Sequence, residues 1–304
     1  MNKVVVIIVN WNTGGLLAKC VQSLMELPER SHISQIVVID NASDDRSIVR
    51  AQVTVGERGN VPPVNFSKNE RNLGFARANN LALARLAERH PSSHVLFINP
   101  DTEITPGALT ALLAVLENNA RAGIVGPKFH SPSGSLQPSV RACPTLGVMV
   151  FFFLKLHWLW PRAGWWQRYM QPDFDYTREQ TVDQVMGAAM LVRRELLESI
   201  GPFDEQFWLW FEEVDLCRRA QAAGWQIIYT PQAQVLHHGA VSFSQLWGVR
   251  RAAPWCMSAL RYTAKHMGYG AATVLGLLLP AALALAVPAT LVHILAQRKG
   301  RTAI

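Results

Sequence analysis

Four short segments carry side chains capable of chemistry where apolar runs give way to polar ones. In VVIDNASDD (37–45), Asp40 emerges at the end of a Val/Ile run. A carboxylate there can accept hydrogen bonds from a ribose hydroxyl or a base N–H, or it can belong to a turn built from Asp, Asn and Ser. Asp44 and Asp45 read as turn or cap residues. In VLFINPDTE (95–103), Asp101 follows a second apolar run, and Pro100 fixes the backbone before it. A magnesium or manganese ion bridging phosphates needs only one or two protein carboxylates, which suits Asp101. The competing reading is that Asp101 or Thr102 caps a following helix.

The third segment, GPFDEQFWLWFEEVDLCRR (201–219), surrounds the pair Glu212 and Glu213 with aromatics. Like charges at close range raise one partner's pKa, and aromatic surroundings desolvate a carboxylate. Those features suit a general base that takes the proton of a hydroxyl. The competing reading is a solvated first helical turn, favoured by the helix dipole. Asp215 stands three and four residues before Arg218 and Arg219 and reads as an exposed helical ion pair. The fourth segment, LHHG (236–239), offers His237 and His238. A lone histidine at a strand end is commonly structural, whereas a neighbouring pair beside a metal carboxylate suits a manganese-type ion.

Positioning such residues requires regular elements. Runs rich in Val and Ile at 4–9, 35–39, 64–66, 95–98 and 124–125 read as strands covered on both faces. Between them Leu16, Leu17, Cys20, Val21 and Leu24 recur at helical spacing. Residues 76–89 and 106–118 are good helix formers, the latter with Pro106 in its first turn. This alternation predicts an α/β domain with a doubly wound, mostly parallel sheet. Ligands of such sheets sit at the carboxyl ends of strands, here Asn10-Trp11-Asn12, Asp40-Asn41 and Asn99-Pro100-Asp101. The alternation resumes at 185–192 and continues to about 239.

The chain of 304 residues is 49% hydrophobic, which suits a large core and argues against disorder. A net charge of +7 favours anionic partners such as diphosphates or an acidic membrane surface. No basic stripe with interleaved aromatics supports nucleic-acid binding outside the apolar segments. The four cysteines are far apart and form no CxxC pair, as expected of reduced thiols in the cytosol. The six-residue apolar run at 4–9 leads into Asn10-Trp11-Asn12 rather than a cleavage site, so it reads as a strand and not a signal peptide. Residues 151–166, FFFLKLHWLWPRAGWW, mix tryptophan with basic residues in the manner of a membrane interface. The alternative is an apolar insertion packed on the domain. Residues 268–296 carry no Asp, Glu, Lys or Arg, and Pro280 and Pro288 interrupt them. They read as a kinked membrane helix or a re-entrant hairpin, against a soluble core helix pair. Basic residues on both flanks favour cytoplasmic ends. The expected organisation is a domain over 1–244, with a Trp-rich insertion near 144–170, and a membrane-associating helical tail over 245–304.

Taken in order, VVIIVNWN, VVIDNASDD, NERNLGFARANN, FINPDTEITPGAL, GAAMLVRRELLESIGPFDEQFWLWFEEVDLCRRAQAAGW and LHHG resemble glycosyltransferase family 2. The likeness is to its bacterial rhamnosyltransferase-like branch, over roughly residues 4–244. It implies a GT-A fold and an inverting transfer from a nucleotide diphosphate sugar, rhamnose-like, to a hydroxyl of a lipid-linked or polysaccharide acceptor. It implies Mn²⁺ or Mg²⁺ as cofactor. With the reduced cysteines and the basic flanks of 268–296, the expected place of work is the cytoplasmic face of the inner membrane, peripheral or integral through the C-terminal segment. The resemblance also implies that Asn10, Asp40 and the turn Asn72-Leu73-Gly74-Phe75 line the nucleotide site. Asn99-Pro100-Asp101 stands where the family has its DxD motif, and only the last position keeps its acid. Glu212-Glu213 stands where the family has a Glu-Asp pair, so the base at Glu213 is one methylene longer. Two other classes remain open. A nucleotidyltransferase would show a basic Gly-rich loop after the first strand, but 10–15 has no basic residue before Lys19. A catalytically silent membrane adaptor would tolerate Glu213 in place of Asp.

Overall fold

The computed structural model describes residues 3–58, 61–87, 93–239 and 248–288. Strands β1 (Val4–Asn10), β2 (Ile33–Asp40), β3 (Val64–Lys68) and β4 (His94–Ile98) pair in parallel in the order β3-β2-β1-β4. Their continuous apolar runs follow from burial on both faces. Val4, Val6 and Ile8 point to one side, into a core with α1 (Leu16–Met25), α2 (Ser47–Arg58) and α4 (Ala108–Asn118). Val5, Ile7 and Val9 point to the other, against α3 (Phe75–Ala87), α7 (Arg194–Ile200) and α8 (Glu212–Ala222). Each buried Val or Ile contributes about 1.5–3 kcal/mol relative to exposure, so register is set strongly and the carboxyl ends of β1, β2 and β4 are fixed.

Beyond β4 the expected mostly parallel sheet proves mixed. β11 (Ala189–Val192) runs antiparallel to both β4 and β6 (Ala122–His130). β12 (Gln226–His237) is parallel to β6, and β5 (Thr102–Ile104) is antiparallel to β12. A parallel crossover needs a dozen or more residues, and only 99–101 separate β4 from β5. The chain therefore leaves β4 and pairs at the far end of the sheet. β7 (Leu136–Gln137) and β9 (Gln180–Val182) extend β6 and β12. The run at 185–192 is broken at 186–188 into β10 (Gln184–Val185), which pairs with β8 (Val140–Arg141), and β11.

A further core joins α5 (Leu146–Phe153), α9 (Gly248–Met267) and α10 (Tyr269–Ala284) to the aromatic segment before α8. Met149, Phe153, Phe207, Phe211, Cys256, Ala259, Tyr262, Leu275 and Ala282 are its buried members. The Trp-rich insertion divides its roles. Phe151, Phe153 and Trp166 of α5 and α6 (Gly164–Met170) are buried, whereas Trp158, Leu159 and Trp160 are 72%, 69% and 59% exposed. Helix α10 has 16 residues, about 24 Å of rise, short of a hydrocarbon core of about 30 Å. Among the described residues no helix is long and apolar enough to cross a membrane. The part of 268–296 beyond residue 288 lies outside the described residues.

Candidate active site

The carboxyl ends of β1, β2 and β4 open into a cleft of about 590 Å³, counting its solvent-filled mouth. Val9, Trp11, Asn41, Asn72, Gly74, Phe75, Asn99, Pro100, Asp101, Trp208 and Leu209 line it. Of the residues expected at a nucleotide, Asn72, Gly74, Phe75 and Asn99 reach this cleft. Asn10 and Asp40 do not. They lie beneath it, 0% and 1% exposed. The Asn10 amide donates to Asp40 Oδ1 at 2.9 Å and to Ser47 Oγ at 2.8 Å, while Thr13 donates to its oxygen at 2.5 Å. The Asn10 side chain is thus taken up by protein partners, its amide tying the end of β1 to the end of β2 and to α2. Asn41, itself only 3% exposed, is the one that lines the cleft: it donates to Asn72 Oδ1 at 2.8 Å and accepts from the Leu73 amide at 2.9 Å. Trp11, Trp208 and Leu209 are further wall residues. Trp11 and Asn41 fall in strand-end segments that draw attention by position, whereas no sequence signal marks the cleft-facing role of Trp208 and Leu209. Asp45 caps α2, accepting from the Ser47 amide at 3.0 Å and from the Gly14 amide at 2.7 Å.

Gly74 is required by close approach. Its φ is +83°, and a Cβ would meet the Trp208 carbonyl oxygen at 2.4 Å. The Phe75 amide donates to the same oxygen at 3.0 Å. The Asn72–Phe75 turn and the Trp208 backbone therefore form one wall.

Asp101 caps no helix. The element that follows it is strand β5, and α4 starts only at Ala108. Antiparallel pairing sets His237 of β12 opposite Thr102 and Leu236 opposite Glu103. This register brings His237 Nε2 to 3.6 Å from Asp101 Oδ1. The other ring nitrogen, Nδ1, lies 2.9 Å from Gln137 Oε1. Gln137 donates its Nε2 to the His237 carbonyl at 2.9 Å, so its oxygen faces Nδ1, which must carry the proton. Burial pushes the His237 pKa down, against the opposing pull of Asp101. A neutral imidazole lone pair and a carboxylate then face each other. That donor pair fits a hard or borderline cation which takes its remaining ligands from phosphate and water. His238 turns away, as neighbours on an extended chain do. Its Nε2 donates to Glu103 Oε1 at 2.6 Å. The two histidines are not brought together on Asp101. Among the described residues no three His, Cys, Asp or Glu side chains gather as a metal cluster, so the bound phosphates would have to complete the coordination.

A second cavity is lined by Ser139, Arg141, Phe152, Tyr169, Gln184, Trp210, Phe211, Glu213 and Trp255, among others. Residues 208–211 separate it from the first cleft, for Trp208 and Leu209 wall one and Trp210 and Phe211 the other. Glu212 and Glu213 open α8, but this first turn is not solvated. Glu212 is 6% exposed and its Oε2 has no hydrogen-bond partner. Burial first, and the neighbouring Glu213 second, push its pKa well up. Burial also raises the pKa of Glu213. Gly187, in the break between β10 and β11, lets the chain pass close, since a Cβ there would meet Glu213 Cβ at 3.2 Å. Asp215 is not an exposed pair with Arg218 and Arg219. It is fully buried and accepts from Arg219 at 2.7 Å, and from Lys265 and His266 of α9 at 2.8 Å each. Burial alone would raise its pKa; the hydrogen bonds from His266, Lys265 and Arg219 outweigh that and hold it at about 2.

The model of the family described as "Glycosyltransferase like family 2" matches residues 2–257. The N-acetylglucosaminyl-diphospho-decaprenol L-rhamnosyltransferase of Mycobacterium tuberculosis is 33% identical over 244 residues, which cover 78% of this chain and 76% of that one. The rhamnosyltransferase WbbL of Escherichia coli is 27% identical over 54% of this chain and 61% of its own. In fold the chain is similar to the mannosyltransferase PcManGT from Pyrobaculum calidifontis, solved with GDP-Man and Mn²⁺ (TM-score 0.57, 17% identity, 97% of this chain and 75% of that one). It is also similar to GalNAc-T7, solved with UDP, GalNAc and Mn²⁺ (TM-score 0.56, 14% identity, 85% and 51%). The mixed α/β sheet is thus GT-A-like, and the nucleotidyltransferase and silent-adaptor readings give way. The chain belongs to glycosyltransferase family 2 and is a glycosyltransferase with rhamnosyltransferase relatives.

Proposed function

We propose that the protein transfers a hexose, rhamnose by the names of its relatives, from a nucleotide diphosphate sugar to a hydroxyl of a lipid-linked acceptor, with inversion. The nucleotide lies in the first cleft against Trp11 and the Asn41–Asn72–Gly74 wall, with its diphosphate toward Asp101 and His237. Asp101 and His237 would hold a Mn²⁺ or Mg²⁺ ion, which would supply neutralisation of the departing diphosphate when bound. The acceptor enters the second cavity, where Glu213 takes the proton of its hydroxyl. The oxygen–C1 bond forms as the C1–phosphate oxygen bond breaks, and that electron pair leaves with the diphosphate. Attack on the face opposite the leaving group inverts the anomeric centre, with an oxocarbenium-like transition state as in other inverting sugar chemistry.

The observation that carries this reading is Glu213 itself. It is a carboxylate whose pKa is raised by burial, lining a cavity beside the strand-end cleft. A raised pKa brings a base closer to the proton it must accept. The exposed Trp158, Leu159 and Trp160, with Tyr269 and Leu277 of α10, give the molecule an apolar margin suited to lying in a membrane interface. This is how we read access to a lipid-linked acceptor at the cytoplasmic face. The test is thermal protection of the purified protein by a panel of nucleotide sugars, with and without manganese, followed by transfer with the protecting donor. Metal-dependent protection by one donor in the wild type, lost in Asp101→Asn with the fold intact, supports the reading. Equal protection of both proteins overturns the donor and metal assignment.

A further inference from the structure

Residues 204–211 form a strap between the two cavities, and its backbone is held in an unfavourable shape. Trp210 and Phe211 have φ of +63° and +70° in succession. Bulky residues avoid the left-handed region, and they persist there only where surrounding structure over-determines them. Within the strap, Phe207 donates its amide to Asp204 O at 3.1 Å, and at its end the Asp215 amide donates to Phe211 O at 2.8 Å. On the donor side the Trp208 carbonyl is pinned by the Phe75 amide.

Asn80 of α3 donates to Glu205 Oε1 at 3.1 Å, and a more extensive hold comes from α9. Ser258 Oγ donates to Leu209 O at 2.8 Å, and the Arg261 guanidinium donates to Gln206 O. Lys265 Nζ reaches Asp204 Oδ2 at 2.6 Å and Asp215 Oδ1 at 2.8 Å, while His266 Nε2 donates to Asp215 Oδ1 at 2.8 Å. Asp215 sits on α8 one turn after Glu212. Helix α9 therefore grips the strap at its start, at its middle and, through Asp215, beyond its end. The ring of Phe211 also packs on Tyr262 and Trp255 of α9, with centroids 5.4 and 5.6 Å apart.

We propose that α9 is a positioning element of the active site, and that Ser258, Lys265 and His266 act on the reaction by holding the strap left-handed so that Glu213 faces the acceptor cavity. The proposal rests on the assignment of Glu213 as base. It makes the C-terminal helices part of the catalytic apparatus as well as an apolar margin. Displacing a catalytic group by about 1 Å can cost about 10²-fold in rate, so small changes on α9 should be felt at a distance.

The test uses the full-length protein with the substitutions Ser258→Ala, His266→Gln and Lys265→Met, and Lys265→Arg as the conservative variant. kcat, donor KM and the melting temperature are measured, with amide hydrogen exchange over 204–215. We expect kcat to fall by about 10- to 100-fold at temperatures where each variant is fully folded. Because Phe75 pins the donor side independently, donor KM should stay within about threefold, the pattern of an interaction made in the transition state. Exchange at 207–211 should quicken, and Lys265→Arg should recover most of the rate. Unchanged kcat in Ser258→Ala and His266→Gln overturns the proposal, as does a loss confined to KM or to melting temperature. If instead Glu213→Gln turns over normally, the base assignment alone fails; faster exchange in the α9 variants then still supports the grip, and unaltered exchange refutes it.

Discussion

The two cavities on either side of residues 208–211 are built by different means. The first is made largely of backbone turns at the ends of parallel strands, where Asn41, Asn72 and Gly74 lock one loop to the next. The second is made of side chains drawn from dispersed elements: Arg141 from β8, Phe152 from α5, Tyr169 from α6, Gln184 from β10, Glu213 from α8 and Trp255 from α9. A site of turns depends on backbone geometry and suits a ligand part that stays constant, such as a diphosphate. A site of side chains changes with single substitutions and suits a ligand part that varies, which in the proposed reading is the acceptor.

The largest effect should come from the second cavity. Glu213→Gln should lower turnover by about 10²–10⁴-fold with donor affinity nearly unchanged, as steady-state kinetics at saturating donor will read. Glu213→Asp restores the residue expected in the family and should retain activity. A dead Glu212→Gln beside a normal Glu213→Gln would move the base by one residue. The first cavity is challenged by Gly74→Ala. With φ at +83° and the Trp208 carbonyl in the way, the substitution should cost about 1–3 kcal/mol. That loss should appear in donor affinity while acceptor KM holds; a reversed pattern would show that the turns serve the acceptor.

The exposed tryptophans test whether the acceptor side meets lipid. Trp158→Ser with Trp160→Ser should weaken binding to anionic phospholipid vesicles by about tenfold, ~1.4 kcal/mol, and leave donor protection intact. Unchanged cosedimentation would refute the interface. The smallest effect separates the two carboxylates of the pair. Glu212 is sealed and prefers its proton, so its ionisation penalises the folded state. That penalty is absent below the unfolded value of 4.5 and grows as pH rises above it. Glu212→Gln should therefore raise stability at pH 7 by about 1 kcal/mol or more and confer no gain near pH 4. Melting curves at the two pH values will show it.

Sequence pattern was informative where physics is local. The strands β1, β2 and β4 show as unbroken Val/Ile runs because both faces are covered, and Asp101 is drawn out by its place at a strand end. The same reasoning misread what lies opposite. The three-residue strand β5 is too short to show a period, so a helix cap stands beside the metal role as a reading of Asp101, and His238 reads as a partner of His237. Asp215 looked exposed because its cationic partners Lys265 and His266 lie some fifty residues away. The left-handed Trp210 and Phe211 carry no compositional mark at all. Nor do the exposures of Asn10 and Asp40, which are settled by hydrogen bonds between loops rather than by pattern.

The shared core of α5, α9, α10 and the aromatic strap also orders events in time. Phe207 and Phe211 lie buried against residues 255–282, which leave the ribosome after the whole sheet has been made. Domains fold as their segments emerge, so the strand-end cleft can close around its turns while the strap still lacks its clamp. A nascent chain arrested before residue 248 should therefore bind nucleotide and fail to transfer sugar. Catalytic competence would then be conferred only once residues 248–282 have emerged and docked on the strap.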